Sequence, residues 1–209
     1  QYYKPEMGAP QNRLYEMAVG LKKCGADITI ITGMPNYPTG KIFKEYRGKW
    51  FCKESLDEID VFRFWLFASN VKRVLPRVLS MLSFSFSVLF SLKYVRKKRF
   101  DFIIVESPPL TLGVSGYFLS KTCKSKMIMN ISDLWPLSAR ELGVLTDGVI
   151  YRILEKLECF LYKKSVACMG QSQEIVSYVS QHGASQAYLF RNGVTPERFQ
   201  NISNKKKTN

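Results

Sequence analysis

Residues able to do chemistry gather at the ends of short apolar runs in this 209-residue chain. Gly8-Ala9 stands just before an amphipathic run, where a residue without a side chain lets backbone N–H groups approach a ligand at a helix N-terminus and partial positive charge favours a phosphate. Three rigid loops follow later apolar runs: Gly33-Met34-Pro35-Asn36-Tyr37-Pro38-Thr39-Gly40, Glu106-Ser107-Pro108-Pro109 and Ser132-Asp133-Leu134-Trp135-Pro136. Proline fixes such loops, so polar and aromatic side chains on them hold a sugar or nucleotide at low entropic cost. Asp133 could orient a hydroxyl or a developing positive charge; its bland alternative is a helix N-cap or loop hydrogen bond. Glu106 could bond a sugar hydroxyl, or be a strand-end carboxylate facing solvent. Gly8-Ala9 equally fits a tight turn.

Other chemistries lose ground on motif. The chain has no GxGxxG fingerprint, no P-loop and no Tyr-x-x-x-Lys dyad, against dinucleotide redox chemistry, ATP hydrolysis and nucleotide-sugar modification. No nucleophile is conspicuous. The single histidine, His182, sits beside Gly183 at a helix end and reads as a C-terminal residue favoured by the macrodipole.

The elements that must position these loops alternate. Leu14, Met17, Ala18 and Leu21 recur at helical spacing in residues 11–24, and Gly25 is a stop signal. Strands are predicted at 27–32, 61–64, 102–106, 126–131, 165–169 and 187–190, and helices at 71–98, 110–124, 147–164 and 171–182. Alternation of this kind predicts an α/β, Rossmann-like three-layer sandwich with a mainly parallel sheet. In such sheets ligands sit outside the carboxyl ends of the strands, where all three loops fall. The first helix has no strand before it, so residues 1–10 read as a βα loop whose strand lies upstream, and free sheet edges would then invite homodimerisation. Residues 201–209 are polar, basic and aperiodic, as expected of a tail or linker.

With 31 Lys and Arg against 17 Asp and Glu the chain carries +14, and only three of those cations, Lys205, Lys206 and Lys207, lie in the tail. The basic excess therefore belongs to the fold and suits polyanions: nucleic acid, anionic lipid or phosphorylated substrates. A noncatalytic basic module binding nucleic acid or an anionic polymer is the alternative function, though no helix-turn-helix, RNP-type aromatic motif or zinc-ligand set is present. Five cysteines without a CxxC pair read as buried free thiols of a reducing cytoplasm. No signal peptide and no apolar run of 18 residues is found, so neither secretion nor membrane spanning is expected.

One segment suggests a membrane surface. Residues 78–92 are uncharged, too short for the ~20 residues a span needs, and flanked by Lys72, Arg73 and Arg77 before and Lys93, Arg96, Lys97, Lys98 and Arg99 after. On a helix Ser80, Ser83, Ser87 and Ser91 share one stripe, with Leu79, Met81, Leu82, Phe86, Leu89 and Phe90 over most of the rest. The segment suits either a sheet-facing core or partial insertion among headgroups with its basic ends on anionic lipid. The Ser-Phe alternation at 83–87 also admits a strand.

Four separated segments resemble one family in order: Tyr3-Lys4-Pro5-Glu6-Met7-Gly8-Ala9-Pro10-Gln11-Asn12-Arg13, Thr32 with the Gly33–Gly40 loop, Asp133-Leu134-Trp135-Pro136 and Asn192-Gly193-Val194. They are similar to retaining glycosyltransferase family 4, above all its branch serving capsule, O-antigen and colanic-acid type polysaccharides, including fucosamine transferases. The resemblance implies the N-terminal, acceptor-side half of a two-domain GT-B enzyme over residues 1–199. A donor-binding domain with a Glu-x7-Glu signature would lie beyond the chain, and a fragment alone would be inactive. It implies a nucleotide-sugar donor, a lipid-linked saccharide acceptor, no metal or other cofactor, and a place at the cytoplasmic face of the inner membrane. Gly8 and Ala9 would lie near the donor diphosphate, Glu6 and Arg13 on the acceptor side, and Pro35, Asn36 and Tyr37 in the neighbouring wall. Asp133 would face the cleft as the catalytic carboxylate, with Glu106, Ser132 and Trp135 bordering it. Many family members carry a histidine where this chain has Ser132.

Overall fold

The computed structural model describes residues 1–71 and 73–191. The Asn192-Gly193-Val194 motif, the expected domain boundary, the tail and Lys72 lie outside the described residues.

A helix α1 (Ala9–Lys23) opens the order, with Pro10 in its first turn and Lys22 and Lys23 in its last, as helix ends prefer. Then come β1 (Thr29–Gly33), β2 (Phe51–Leu56), β3 (Ile59–Phe64), α2 (Val74–Ser87), α3 (Leu92–Val95), β4 (Phe102–Ser107), α4 (Leu110–Cys123), β5 (Lys126–Ile131), α5 (Leu137–Glu141), α6 (Val149–Lys164), β6 (Ala167–Gly170), α7 (Gln173–Gln181) and β7 (Ala187–Leu189). Helices connect the parallel strands β4-β5-β6-β7, which form one four-stranded sheet. The chain is thus an α/β, Rossmann-like protein.

A second sheet, in the order β1-β3-β2, pairs β1 parallel with β3 and β2 antiparallel with β3. The predicted strands therefore fall into two hydrogen-bonded groups. Strand β2 escaped sequence reading because its hairpin turns on Asp57 and Glu58, both at positive φ (51° and 57°), where Asn-Gly or Asp-Gly is the usual signal. Helix α1 steadies this turn: Tyr15 Oη donates to Asp57 (2.7 Å) and Lys22 Nζ to Glu58 (2.7 Å).

The core lies in three clusters. Val105, Met127, Met129, Ile131, Leu161 and Cys168 are among those burying the four-stranded sheet under α4, α6 and α7. Smaller clusters around Met34, Leu66 and Phe84, and around Phe62, Phe64 and Val95, anchor the first sheet. Gly116 brings α4 hard against β4, since a Cβ there would lie 2.3 Å from a Val105 methyl.

The long helix expected at 71–98 is broken into α2, a 3-10 turn at Val88–Ser91 and α3. Serines explain the tightening, because Ser85 and Ser87 hydroxyls donate back to the Met81 and Phe84 carbonyls and bend the helix. The segment has one packed side and one exposed apolar side, so the core environment offered for it holds for its inner face. Ser80, Phe84, Ser85, Ser87 and Ser91 face inward, and Ser115 of α4 donates to the Ser85 carbonyl at 2.7 Å. Leu75, Leu79, Leu82, Phe86 and Phe90 face outward, with Leu75 68% and Phe86 61% exposed. The stretch Val74–Val95, 22 residues holding an 18-residue window of mean hydropathy 1.6, is long and apolar enough to cross a membrane by length and composition, which the uncharged core of 78–92 did not suggest; its inner side, however, is packed.

The cysteines correct another expectation: all five are free, but only Cys168 is buried, and Cys24 is exposed at the end of α1. His182 caps α7, its Nδ1 2.7 Å from the Tyr178 carbonyl.

Candidate functional site

The site residues meet at the carboxyl rim of the strands, in two groups joined through the N-terminal loop. The first group sits where β1 ends. Glu6 is buried, and its carboxylate accepts from the backbone N–H groups of Asn36 (2.7 Å), Tyr37 (2.8 Å) and Tyr3 (3.2 Å), so it clamps the N-terminal loop to the Gly33–Gly40 loop. Burial pushes its carboxyl above the ordinary range, against the lowering from those three N–H donors. Asn36 is itself buried, donating from Nδ2 to the Met34 carbonyl at 2.9 Å, and Pro35 is buried beside it. Tyr37 remains 44% exposed.

Gly8 adjoins this group as the N-cap of α1. A Cβ on Gly8 would stand 2.5 Å from Gln11 Oε1 and 3.3 Å from the Tyr37 ring, so the space above the helix end exists because no side chain fills it. No side chain caps α1 and no acidic residue stands in its first turn. Backbone N–H groups of Ala9 and Gln11 therefore open the helix with their positive end free of an internal anion.

The second group lies where β4 and β5 end. Arg13 of α1 ion-pairs with Glu106, both side chains being largely buried (12% and 14% exposed). Glu106 also accepts from Asn130 Nδ2 at 2.7 Å. Burial raises the Glu106 carboxyl above its ordinary range, with Arg13 pulling the other way. Ser132 Oγ donates to the Ser107 carbonyl at 3.0 Å and stitches the two loops together. Asp133 is exposed, accepting one bond from Ser138 Oγ at 3.0 Å, and Trp135 packs half-buried on the main core.

The structure sorts most of the predicted residues into two conditions. Glu6, Arg13, Asn36 and Glu106 spend their polar atoms on the protein and hold the loops; Ala9, Tyr37 and Asp133 face solvent. Glu106 does not face solvent, the bland alternative weighed for it, and Asp133 makes the loop hydrogen bond weighed for it. The Arg13–Glu106 pair and the Ser132–Ser107 bond link the helix that Gly8 opens to the loop that carries Asp133.

Three residues went unnoticed in the sequence. Asn130, a polar residue in the apolar strand Lys126–Ile131, was legible as an exception and holds Glu106 while its own buried Oδ1 has no partner. Gln11 is buried with Oε1 unpartnered beneath Gly8. Arg63 is fully buried inside β3, paired to Glu54 and donating to the Lys4 carbonyl, so it fastens the N-terminal loop from below. Among the described residues no cluster of three or more His, Cys, Asp or Glu could hold a metal ion.

A free helix start between proline loops at the carboxyl rim is the arrangement against which known proteins can be compared. The glycosyl transferase 4-like domain matches residues 8–193. The chain belongs to this family of glycosyltransferases. Among solved structures it is similar to a sucrose-phosphate synthase from Thermosynechococcus elongatus, with a TM-score of 0.56 and 10% identity over 92% of this chain and 91% of that one. That likeness speaks to the fold, a Rossmann-like half of the GT-B type. No curated protein matches the chain in sequence.

Proposed function

We propose that this glycosyltransferase domain is the acceptor-side lobe of a retaining hexosyl- or aminodeoxyhexosyltransferase. It moves a sugar from a nucleotide-sugar donor to a lipid-linked saccharide in bacterial cell-surface polysaccharide synthesis, of the capsule, O-antigen or colanic-acid kind. The observation that carries this reading is the open N-terminus of α1 under Gly8, set against exposed Tyr37 and framed by loops that Glu6, Arg63 and Arg13 lock in place. The N–H groups of Ala9 and Gln11 bind phosphate oxygens of the departing nucleotide. Tyr37 and Trp135 form walls for sugar rings, and Asp133 orients the acceptor hydroxyl. A donor-binding lobe closes the cleft from the opposite side.

No nucleophile is conspicuous on this rim among the described residues, and the acceptor attacks on the face from which the nucleotide departs. The protein contributes positioning and charge stabilisation, worth many kcal/mol when groups are fixed beforehand. No metal or cofactor is assigned to this lobe.

The enzyme works as a peripheral protein at the cytoplasmic face of the inner membrane. The outward face of α2 supports this placement, together with an aromatic shelf beside it: Trp50 stacks on Trp65 at 5.3 Å and meets Phe90 edge-on at 5.8 Å, and Phe90 meets Phe86 at 5.5 Å. Apolar and aromatic side chains flanked by exposed Arg73, Arg77, Lys93, Arg96, Lys97 and Arg99 suit an anionic lipid surface.

The test is transfer of a labelled sugar by the full-length protein from a panel of nucleotide sugars to a polyprenyl-diphosphate saccharide, with anomeric configuration read by NMR. Retained product supports the proposal. Absence of transfer from every donor, or inverted product, overturns it.

A further inference from the structure

The start of α1 offers fewer backbone donors than a helix start can. Pro10, its second residue, carries no N–H, and the N–H of Asn12 is spent on the Gly8 carbonyl at 3.0 Å. Ala9 and Gln11 keep theirs. A phosphate seated there has oxygens to spare for a further donor.

The side chain of Gln11, the third residue of the helix, stands beside this opening. It is 1% exposed, yet among the described residues its Oε1 meets no donor, whereas buried amides are nearly always paired. A Cβ on Gly8 would lie 2.5 Å from this Oε1 and 3.3 Å from Cδ, so the amide points into the space that the glycine leaves. The Tyr37 ring borders the same space, 3.3 Å from the same point. The positive end of α1 attracts the oxygen, which is the negative end of the amide dipole. A half-turn about the Cγ–Cδ bond exchanges it for Nε2 without a change of shape.

Residue type bears on the charge of the ligand. The third position of a helix is where Glu or Gln reaches back to cap the first N–H groups, and a carboxylate there would compensate the helix start from within. Glutamine keeps that shape and leaves the charge to come from a ligand.

We propose that Gln11 is a specificity-determining residue of this site, donating through Nε2 to a phosphate oxygen of the nucleotide-sugar diphosphate. It makes good the donor that Pro10 removes. The anion is then held wholly by neutral donors, the N–H groups of Ala9 and Gln11 and the Gln11 amide, and the half-exposed Tyr37 ring turns aside to admit it. This inference rests on the reading that the phosphate of the nucleotide sits at the start of α1.

Titration calorimetry of the full-length protein with a panel of nucleoside diphosphates tests it, beside Gln11→Met and Gln11→Glu. Methionine fills a similar volume, offers no donor and relieves a buried unpaired amide. Its affinity for the tightest-binding nucleotide is expected to fall about thirtyfold, while Tm without nucleotide stays at or above that of the unmutated protein. Glutamate sets a negative charge in place of the donor and is expected to lose at least about a hundredfold. Unchanged affinity in Gln11→Met overturns the inference and leaves the reading of the rim standing. Affinity lost in Gln11→Met but kept in Gln11→Glu also overturns it, because Oε1 then accepts from a ligand hydroxyl. A loss in Gln11→Met accompanied by a lowered Tm overturns it in favour of a packing role. If the unmutated protein binds no member of the panel, the reading of the rim fails as well.

Discussion

At the scale of the residue, the rim depends on buried charges that hold loops. Removing one partner of a buried pair leaves the other uncompensated, whereas replacing both by apolar groups is close to neutral. Arg13→Ala is expected to destabilise the protein by about 3 kcal/mol, and Arg13→Met with Glu106→Leu by only about 1 kcal/mol, chiefly Asn130's lost acceptor. Denaturant midpoints in a double-mutant cycle read this difference, and equal losses in both variants contradict it. Glu158 is fully buried between α6 and α7, where it accepts from Tyr162 Oη (2.7 Å) and Tyr178 Oη (3.2 Å), and burial pushes its carboxyl up to about 7. Since the folded form holds this proton more tightly than the unfolded chain, stability is complete below pH about 4.5 and is lost as pH rises through about 7. The loss comes to about 3 kcal/mol. Glu158→Gln is expected to flatten this decline and to raise Tm at pH 8 above that of the unmutated protein; a pH profile of Tm unchanged by the substitution contradicts the account.

At the scale of the element, sequence reading succeeded where one period dominated. Helices α1, α4, α6 and α7 and strands β4 and β5 lie within a few residues of their expected places, because apolar spacing and stop signals agree there. It failed where side chains overrode the pattern. The serines of α2 bond to their own backbone and break the helix, and β2 turns through two non-glycine residues at positive φ. The rim was legible because its loops are marked by proline and glycine. Which of its residues face solvent and which are spent on the scaffold was not, since that depends on partners 30 to 93 positions away, as for Glu6 with Asn36 and Arg13 with Glu106. The outward face of α2 gives the prediction proper to this scale. The protein is expected to bind vesicles containing anionic phosphatidylglycerol and to leave them in high salt, each basic residue near the surface contributing about 1 kcal/mol. Phe86→Ser with Phe90→Ser is expected to weaken sedimentation with vesicles at least tenfold while lowering Tm by only a few degrees, because the rings are 61% and 47% exposed and lose mainly their contacts with each other and with Trp50. Binding indifferent to lipid charge and to these rings contradicts the membrane role.

At the scale of the whole molecule, a parallel sheet brings loops far apart in sequence to a single rim, and one helix, α1, crosses both groups by carrying Gly8 at its start and Arg13 in its second turn. Basic charge spread over the fold, an apolar outward face and an open helix start are the features on which the proposed phosphate-bearing and lipid-borne partners rest. Family membership shows glycosyl transfer as the chemistry; the rim is where this chain would take part in it. The most direct test is kcat/KM for sugar transfer by the full-length protein carrying Tyr37→Ala or Asp133→Asn, beside Lys164→Ala at the far end of α6. All three side chains are exposed, so stability should not change. The account predicts that both rim variants fall by about a hundredfold or more while Lys164→Ala stays within about twofold. Full activity in both rim variants, or an equal fall in all three, would contradict it.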